Sequence, residues 1–192
     1  MCRRYSGEAL GYHRHIIART GTRSPVIQKK IALLGAAGVG KTSLVRRFVE
    51  SLFDEKYLTT IGVKVDKRTL VVNADEVTLM IWDIAGAEEH FSVPTSYVKG
   101  AAGYLLVGDG TRPDTLTVAA RIVEQIDREL GKRPFVLVLN KMDLTDAWRV
   151  SDGDIAALRA RALATIQSSA RTGEGVEAAF ATLAEAIVAR DR

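Results

Sequence analysis

With 192 residues, 47% of them hydrophobic and 26% charged, the chain fits one globular domain with a sizeable core. Its single cysteine, Cys2, excludes an intrachain disulfide and a cysteine-based metal site, and no apolar run approaches the ~20 residues of a membrane-spanning helix. The net charge of +4 comes from the first thirty residues, which argues against a basic, nucleic-acid-binding body.

Residues 1–30 carry seven bases (Arg3, Arg4, Arg14, Arg19, Arg23, Lys29 and Lys30) against one acid, Glu8. Removing these from totals of 27 and 23 leaves 20 bases and 22 acids, a net of −2. Ile16-Ile17-Ala18 is too short for the apolar centre of a secretory signal. Residues 1–25 therefore read as a flexible basic extension and residues 26–192 as the folded domain. A lone cysteine and no export signal predict a cytoplasmic protein.

From Val26 onward, strand and helix signals alternate. The first strand, Val26–Leu34, ends in the apolar run Ile31-Ala32-Leu33-Leu34. Next comes Gly35-Ala36-Ala37-Gly38-Val39-Gly40-Lys41-Thr42, which fits G-x-x-x-x-G-K-[ST]. It leads into an amphipathic helix, Ser43–Val49. A glycine-rich turn between strand and helix brings backbone N–H groups together on a polyphosphate, and the helix dipole adds to them. Lys41 is placed to reach the β- and γ-phosphates, and Thr42 to offer its hydroxyl to Mg²⁺. A bare glycine turn is the plainer reading; the flanking strand and helix argue against it.

Phe53 follows, placed either to stack on a base or to pack at a helix end. Tyr57-Leu58-Thr59-Thr60-Ile61-Gly62 precedes the second strand. There the Thr60 hydroxyl can close on Mg²⁺ while its N–H meets the γ-phosphate, and both contacts vanish when that phosphate leaves. Strands Val63–Val72 and Val77–Asp83 are joined by Asn73-Ala74-Asp75, a hairpin-like turn, so they should run antiparallel. The third strand ends in Trp82-Asp83-Ile84-Ala85-Gly86. Asp83 can hold Mg²⁺ through water, and Gly86 can present an N–H to the γ-phosphate. An Asx-turn is the plainer reading of a lone D-x-x-G; its place at a fitting distance after the glycine turn argues for the functional one.

Tyr104–Val107 reads as the fourth strand. Leu116, Ala119, Ala120, Val123, Ile126 and Leu130 then recur at helical spacing after the stop signal Pro113-Asp114. The fifth strand, Phe135–Asn140, leads into Asn140-Lys141-Met142-Asp143. The Asp143 carboxylate can accept from the N1–H and N2–H₂ of guanine, a donor pair that adenine lacks. A site built on such a pair rejects the analogue without it by ~10⁴–10⁵. The stem of Lys141 can lie over the purine plane. The last strand, Thr165–Ser168, precedes Ser169-Ala170-Arg171, where the Ala170 N–H suits guanine O6. Val176, Ala179, Phe180, Leu183 and Ile187 form the core face of a final helix. The pattern is an α/β, P-loop NTPase fold: a six-stranded, mostly parallel sheet with one antiparallel strand and helices on both faces. Its ligand belongs beyond the carboxyl ends of the parallel strands.

From about Lys30 to Ile187 these motifs resemble the Ras superfamily of small GTPases. Thr60-Ile61-Gly62-Val63 and Trp82-Asp83-Ile84-Ala85-Gly86 are most similar to Rab-type members. The resemblance implies a GTP- and GDP-binding switch with GTPase activity, Mg²⁺ as cofactor, and nucleotide contacts from Gly35 through Ser43. It adds Phe53, Thr60, Asp83, Gly86, Asn140, Lys141, Asp143, Ser169, Ala170 and Arg171 to those contacts. It implies catalytic roles for Lys41, Thr60 and Gly86, with Thr42 and Thr60 on the metal and Asp83 on it through water. An effector of the GTP state, an exchange factor and a GTPase-activating protein are implied partners.

Three positions depart from the family. Ala87 stands where Rab-like proteins carry the glutamine that orients the attacking water. Ala37 stands where glycine is frequent, and its methyl would crowd an incoming arginine. The chain ends Ile187-Val188-Ala189-Arg190-Asp191-Arg192, without a prenylation cysteine, which is similar to lipid-free prokaryotic members. Slow hydrolysis is the expectation, with Glu88, Glu89 or His90 as partial substitutes for the glutamine. The alternative is a pseudo-GTPase scaffold that holds nucleotide without turnover.

Overall fold

The computed structural model describes residues 27–51, 62–86 and 93–190. Six strands, β1 (Ile27–Gly35), β2 (Val63–Val72), β3 (Asp75–Ile84), β4 (Gly103–Asp109), β5 (Phe135–Asn140) and β6 (Ala164–Gln167), form one sheet in the order β2-β3-β1-β4-β5-β6. Only β2 runs antiparallel to its neighbour; the other pairings are parallel. This is the expected sheet, with most strand ends moved by one or two residues.

The β2–β3 connection has a local cause. Asn73 and Ala74 both take left-handed backbone, with φ of 50° and 72°. Two such residues match the right-handed twist of the flanking strands. They set Val72 opposite Asp75, and the register then runs the length of the ladder to Val63 opposite Ile84.

The parallel strands are apolar on both faces because helices cover both. Along β1, Ile31 and Leu33 enter one core with Phe48 of α1 (Lys41–Glu50) and Phe180 of α5 (Val176–Ala189). Ala32 and Leu34 enter the other, with Leu116, Val123 and Ile126 of α3 (Asp114–Leu130). The rings of Phe48 and Phe180 stack at 3.8 Å, and the Arg68 guanidinium covers Phe48 at 4.1 Å. Arg68 also pairs with Glu177 at 2.8 Å, tying β2 to α5. Aromatic and guanidinium together fix the axis of α1, the helix that the glycine loop opens.

Some local readings change. Pro113-Asp114 opens α3 rather than marking a stop: Pro113 has φ of −58°, Asp114 is the first helical residue, and a proline ring suits that place. Thr115 and Ile122 join the buried face. Two short helices had no clear periodic signal, α2 (Thr95–Val98) and α4 (Asp152–Arg159). The second begins with a reciprocal cap between Ser151 and Asp154. Lys30, counted in the basic N-terminal stretch, belongs to β1; its Nζ lies 3.7 Å from the Trp82 ring centroid and donates to Lys99 O at 2.8 Å.

Ala74 carries a Cβ in a left-handed position, which costs about 1 kcal/mol. Replacing Ala74 with glycine is expected to raise the unfolding free energy by about 0.5–1 kcal/mol in urea titration. A loss of stability would contradict the turn geometry.

Candidate functional site

The five parallel strands end at one rim of the sheet, and the loops beyond them carry every described motif. At the end of β1, the glycine loop closes on its own lysine. Lys41 is buried, and its Nζ donates to Gly35 O at 3.1 Å and Ala36 O at 2.9 Å. Burial pushes its ammonium down to about 8, opposed by the charge of Asp83. Gly40 has φ of +96°, and a Cβ there would lie 2.4 Å from Asn140 Nδ2. Only glycine serves at this position.

β3 lies beside β1 with Leu33 opposite Asp83. That register brings Asp83 to the start of α1, where Thr42 Oγ1 donates to Asp83 Oδ2 at 2.6 Å. Asp83 is fully buried. Burial pushes its carboxyl pKa up, while the Thr42 hydroxyl and the Lys41 charge pull the other way. Its second oxygen, Oδ1, is buried and accepts no hydrogen bond. An orphaned carboxylate oxygen beside a hydroxyl suits a hard cation, and Mg²⁺ takes few protein oxygens because it keeps several waters. Thr42 and Asp83 therefore fit Mg²⁺. Past the strand, Gly86 rests on the glycine loop: a Cβ there would lie 2.4 Å from Ala37 Cα.

On the other side of the rim, Asn140 is buried and uses both ends of its amide. Nδ2 donates to Val39 O at 2.9 Å; Oδ1 accepts from Ala170 N at 3.1 Å and Ser168 Oγ at 3.3 Å. The glycine loop, the β5 end and the β6 end are thereby joined. Asp143 accepts from Ser169 Oγ at 2.6 Å, with Arg171 Nη1 3.9 Å from its other oxygen. The Ala170 N–H, expected on guanine O6, donates to Asn140 here. Reaching a base would require it to be shared between two acceptors. Phe53, Thr60, Ala87, Glu88, Glu89 and His90 lie outside the described residues.

Three residues of the rim escaped the sequence reading. Asp109, at the end of β4, is fully buried and accepts from Lys141 Nζ at 2.6 Å, Arg112 Nε at 3.1 Å, Thr111 N at 2.9 Å and Thr111 Oγ1 at 2.7 Å. Burial alone would raise its pKa; the Lys141 and Thr111 hydrogen bonds and the Lys141 charge outweigh it and hold the carboxyl below its usual range. Lys141 reaches Asp109 from a left-handed backbone, φ 71°. Arg112 spans to the glycine loop, donating from Nη2 to Ala37 O at 2.9 Å. Arg47 of α1 holds the last loop, donating from Nε to Ala170 O at 2.9 Å and from Nη2 to Arg171 O. An acid ending a buried strand, in Gly108-Asp109-Gly110-Thr111, was a usable signal. An arginine on the polar face of a helix carries none.

A lysine-bearing glycine loop, a hydroxyl–carboxylate pair and an acid-bearing loop on one rim of a parallel sheet define a P-loop nucleotide-binding protein. The profile of the Ras family matches residues 30–189. The chain is 34% identical over 161 residues to the Ras-related protein Rab-18-B of Danio rerio, covering 83% of this chain and 78% of that protein. It is 35% identical over 159 residues to the Ras-related protein SEC4 of Saccharomyces cerevisiae, covering 82% and 74%. The chain belongs to the Ras family and is a Rab-like small GTPase. It is accordingly a GTP-binding molecular switch of the GTPase class. Among the described residues, no helix is long and apolar enough to cross a membrane.

Asp109→Asn removes the charge and replaces one of the two acceptor oxygens, which serve Thr111 and the Lys141–Arg112 pair, with an NH₂ donor. It is expected to cost about 2 kcal/mol at pH 7 by urea unfolding. The folded pKa of Asp109 is depressed, so its contribution is complete above the ordinary aspartate pKa. It fades as pH falls through the lowered value. The gap between the two proteins should narrow in acid; a constant gap would contradict a charged role for Asp109.

Proposed function

We propose that this GTPase binds GTP and GDP with Mg²⁺ at the β1–β6 rim and hydrolyses GTP slowly by itself. The observation that carries the binding reading is Asn140. It joins the loop bearing Lys41 and Thr42 to the loops bearing Asp143 and Ala170. In this reading the backbone from Gly35 through Ser43 cradles the phosphates. Lys41 leaves the carbonyls of Gly35 and Ala36 for the β- and γ-phosphates, and Asp143 pairs with guanine. Thr42 and Thr60 would hold the metal, and Asp83 would do so through water. Bound Mg²⁺ supplies charge neutralisation on the phosphate oxygens. Gly86 presents its N–H to the γ-phosphate, and Phe53, Lys141, Ser169 and Arg171 border the base.

Hydrolysis adds water to the γ-phosphorus and breaks its bond to the β-phosphate oxygen. Ala87 has no side-chain donor or acceptor to orient that water, which supports a low intrinsic rate. Partners follow from the switch reading: an effector for the GTP state, an exchange factor and a GTPase-activating protein that completes the site. The lone cysteine, Cys2, supports a reducing, cytoplasmic setting. Ala87 also favours the second reading, a scaffold that retains nucleotide without turnover.

Two measurements test these claims. In titrations with fluorescent nucleotides, the unaltered protein should prefer GTP over ATP by at least about 10³-fold, and Asp143→Asn should lower GTP affinity about 100-fold or more. Equal binding of ATP would end the guanine reading. In single-turnover assays the intrinsic rate should lie below about 10⁻⁴ s⁻¹ and rise in Ala87→Gln. A rate matching that of glutamine-bearing relatives, about 3–5 × 10⁻⁴ s⁻¹ or above, would refute slow turnover. No detectable hydrolysis in either protein would favour the scaffold.

A further inference from the structure

One peptide unit of the glycine loop is gripped from outside the loop. Its carbonyl, Ala37 O, accepts from Arg112 Nη2 at 2.9 Å, across 75 positions of sequence. The same guanidinium donates from Nε to Asp109 Oδ2 at 3.1 Å, so it is held at two points. Asp109 is itself immobilised: it is fully buried at the end of β4 and also takes Thr111 and Lys141. Arg112 is therefore a strut with one foot on the sheet and the other on the loop.

The described backbone has no cis peptide bonds. In a trans unit the C=O and the next N–H point in opposite directions. While Arg112 holds the Ala37 carbonyl, the N–H of Gly38 in the same unit faces away from the strut. Gly38 has φ of +73°, and glycine allows such a unit to rotate at little steric cost. An external donor on the carbonyl removes that freedom. A cationic donor also polarises the peptide, making its N–H a stronger donor.

We propose that Arg112 is a positioning residue for polyphosphate binding, holding the Ala37–Gly38 peptide so that the Gly38 N–H serves the phosphates beyond the first. This inference rests on the guanine-nucleotide reading of the site above. It separates two grips. The base grip, through Asp143, is common to GMP and GDP. The grip that Arg112 controls matters only when a β-phosphate is present.

The test is calorimetric titration of the unaltered protein, Arg112→Ala and Arg112→Lys with GDP and with GMP. The Arg112 side chain is 43% exposed, so truncation leaves no buried void. Arg112→Ala should weaken GDP about tenfold and GMP less than about twofold. Arg112→Lys should recover part of the GDP loss, since an ammonium can reach Ala37 O but has no planar fork to span to Asp109. In the GDP complex the Gly38 amide proton resonance should move upfield in Arg112→Ala. Equal losses for GDP and GMP would reduce Arg112 to a general structural role and overturn the inference, as would no loss at all. An unaltered protein that binds neither nucleotide would overturn the site reading and this inference together.

Discussion

The amide of Asn140 is the contact on which the site depends. Three loops from distant parts of the chain meet at the rim, with Val39 and Ala170 packed into the core beneath. The buried Asn140 side chain touches all three, donating to Val39 O and accepting from Ala170 N and Ser168 Oγ. A buried amide left half-paired costs more than the bond it loses, so this arrangement is all or none. It also explains the glycine beside it: Nδ2 passes so close to Gly40 that a methyl there would displace it. The glycine loop and the loops after β5 and β6 are thus directly linked.

Charged side chains extend that linkage outward. Asp109 joins Lys141 of the loop after β5 to Arg112, and Arg112 reaches Ala37 of the glycine loop. Arg47 runs from α1, whose first residues belong to the glycine loop, to the carbonyls of the last loop. Two arginines therefore fasten two different loops, both by donating to backbone carbonyls. The planar fork of arginine suits it to several acceptors at once. Phe48 stacked on Phe180 keeps α1 at the angle these contacts need.

The competition around Lys41 sets what binding must do. Its ammonium donates to the carbonyls of Gly35 and Ala36, and burial disfavours its charge. Asp83 beside it is disfavoured as a carboxylate for the same reason, and its Oδ1 lacks a partner. A phosphate and a hard cation would relieve both. The site is built with two complementary deficits, which is a physical reason for an anion and a cation to enter together.

Much of the fold was legible. The glycine loop follows from adjacent residues whose chemistry is local, and the β2–β3 hairpin from a two-residue turn that needs only its own backbone. The apolar runs of β1, β4 and β5 announced strands covered on both faces. Asp109 was missed because β4 was taken to end at Val107, two residues short of its true end. Pro113 was misread because proline both ends and begins helices, and sequence shows only that the backbone changes there.

What the sequence determined by itself is the alternation of strands and helices and the motifs that lie at the strand ends. These depend on spacing along one stretch of chain. What only the tertiary structure decided is how the loops are fastened: Asn140 on Val39, Arg112 on Ala37, Arg47 on Ala170. Each pairs a side chain with a backbone carbonyl 75 to 123 positions away. Every residue has such a carbonyl, so no residue type marks the acceptor, and only the packing of the sheet and helices selects it.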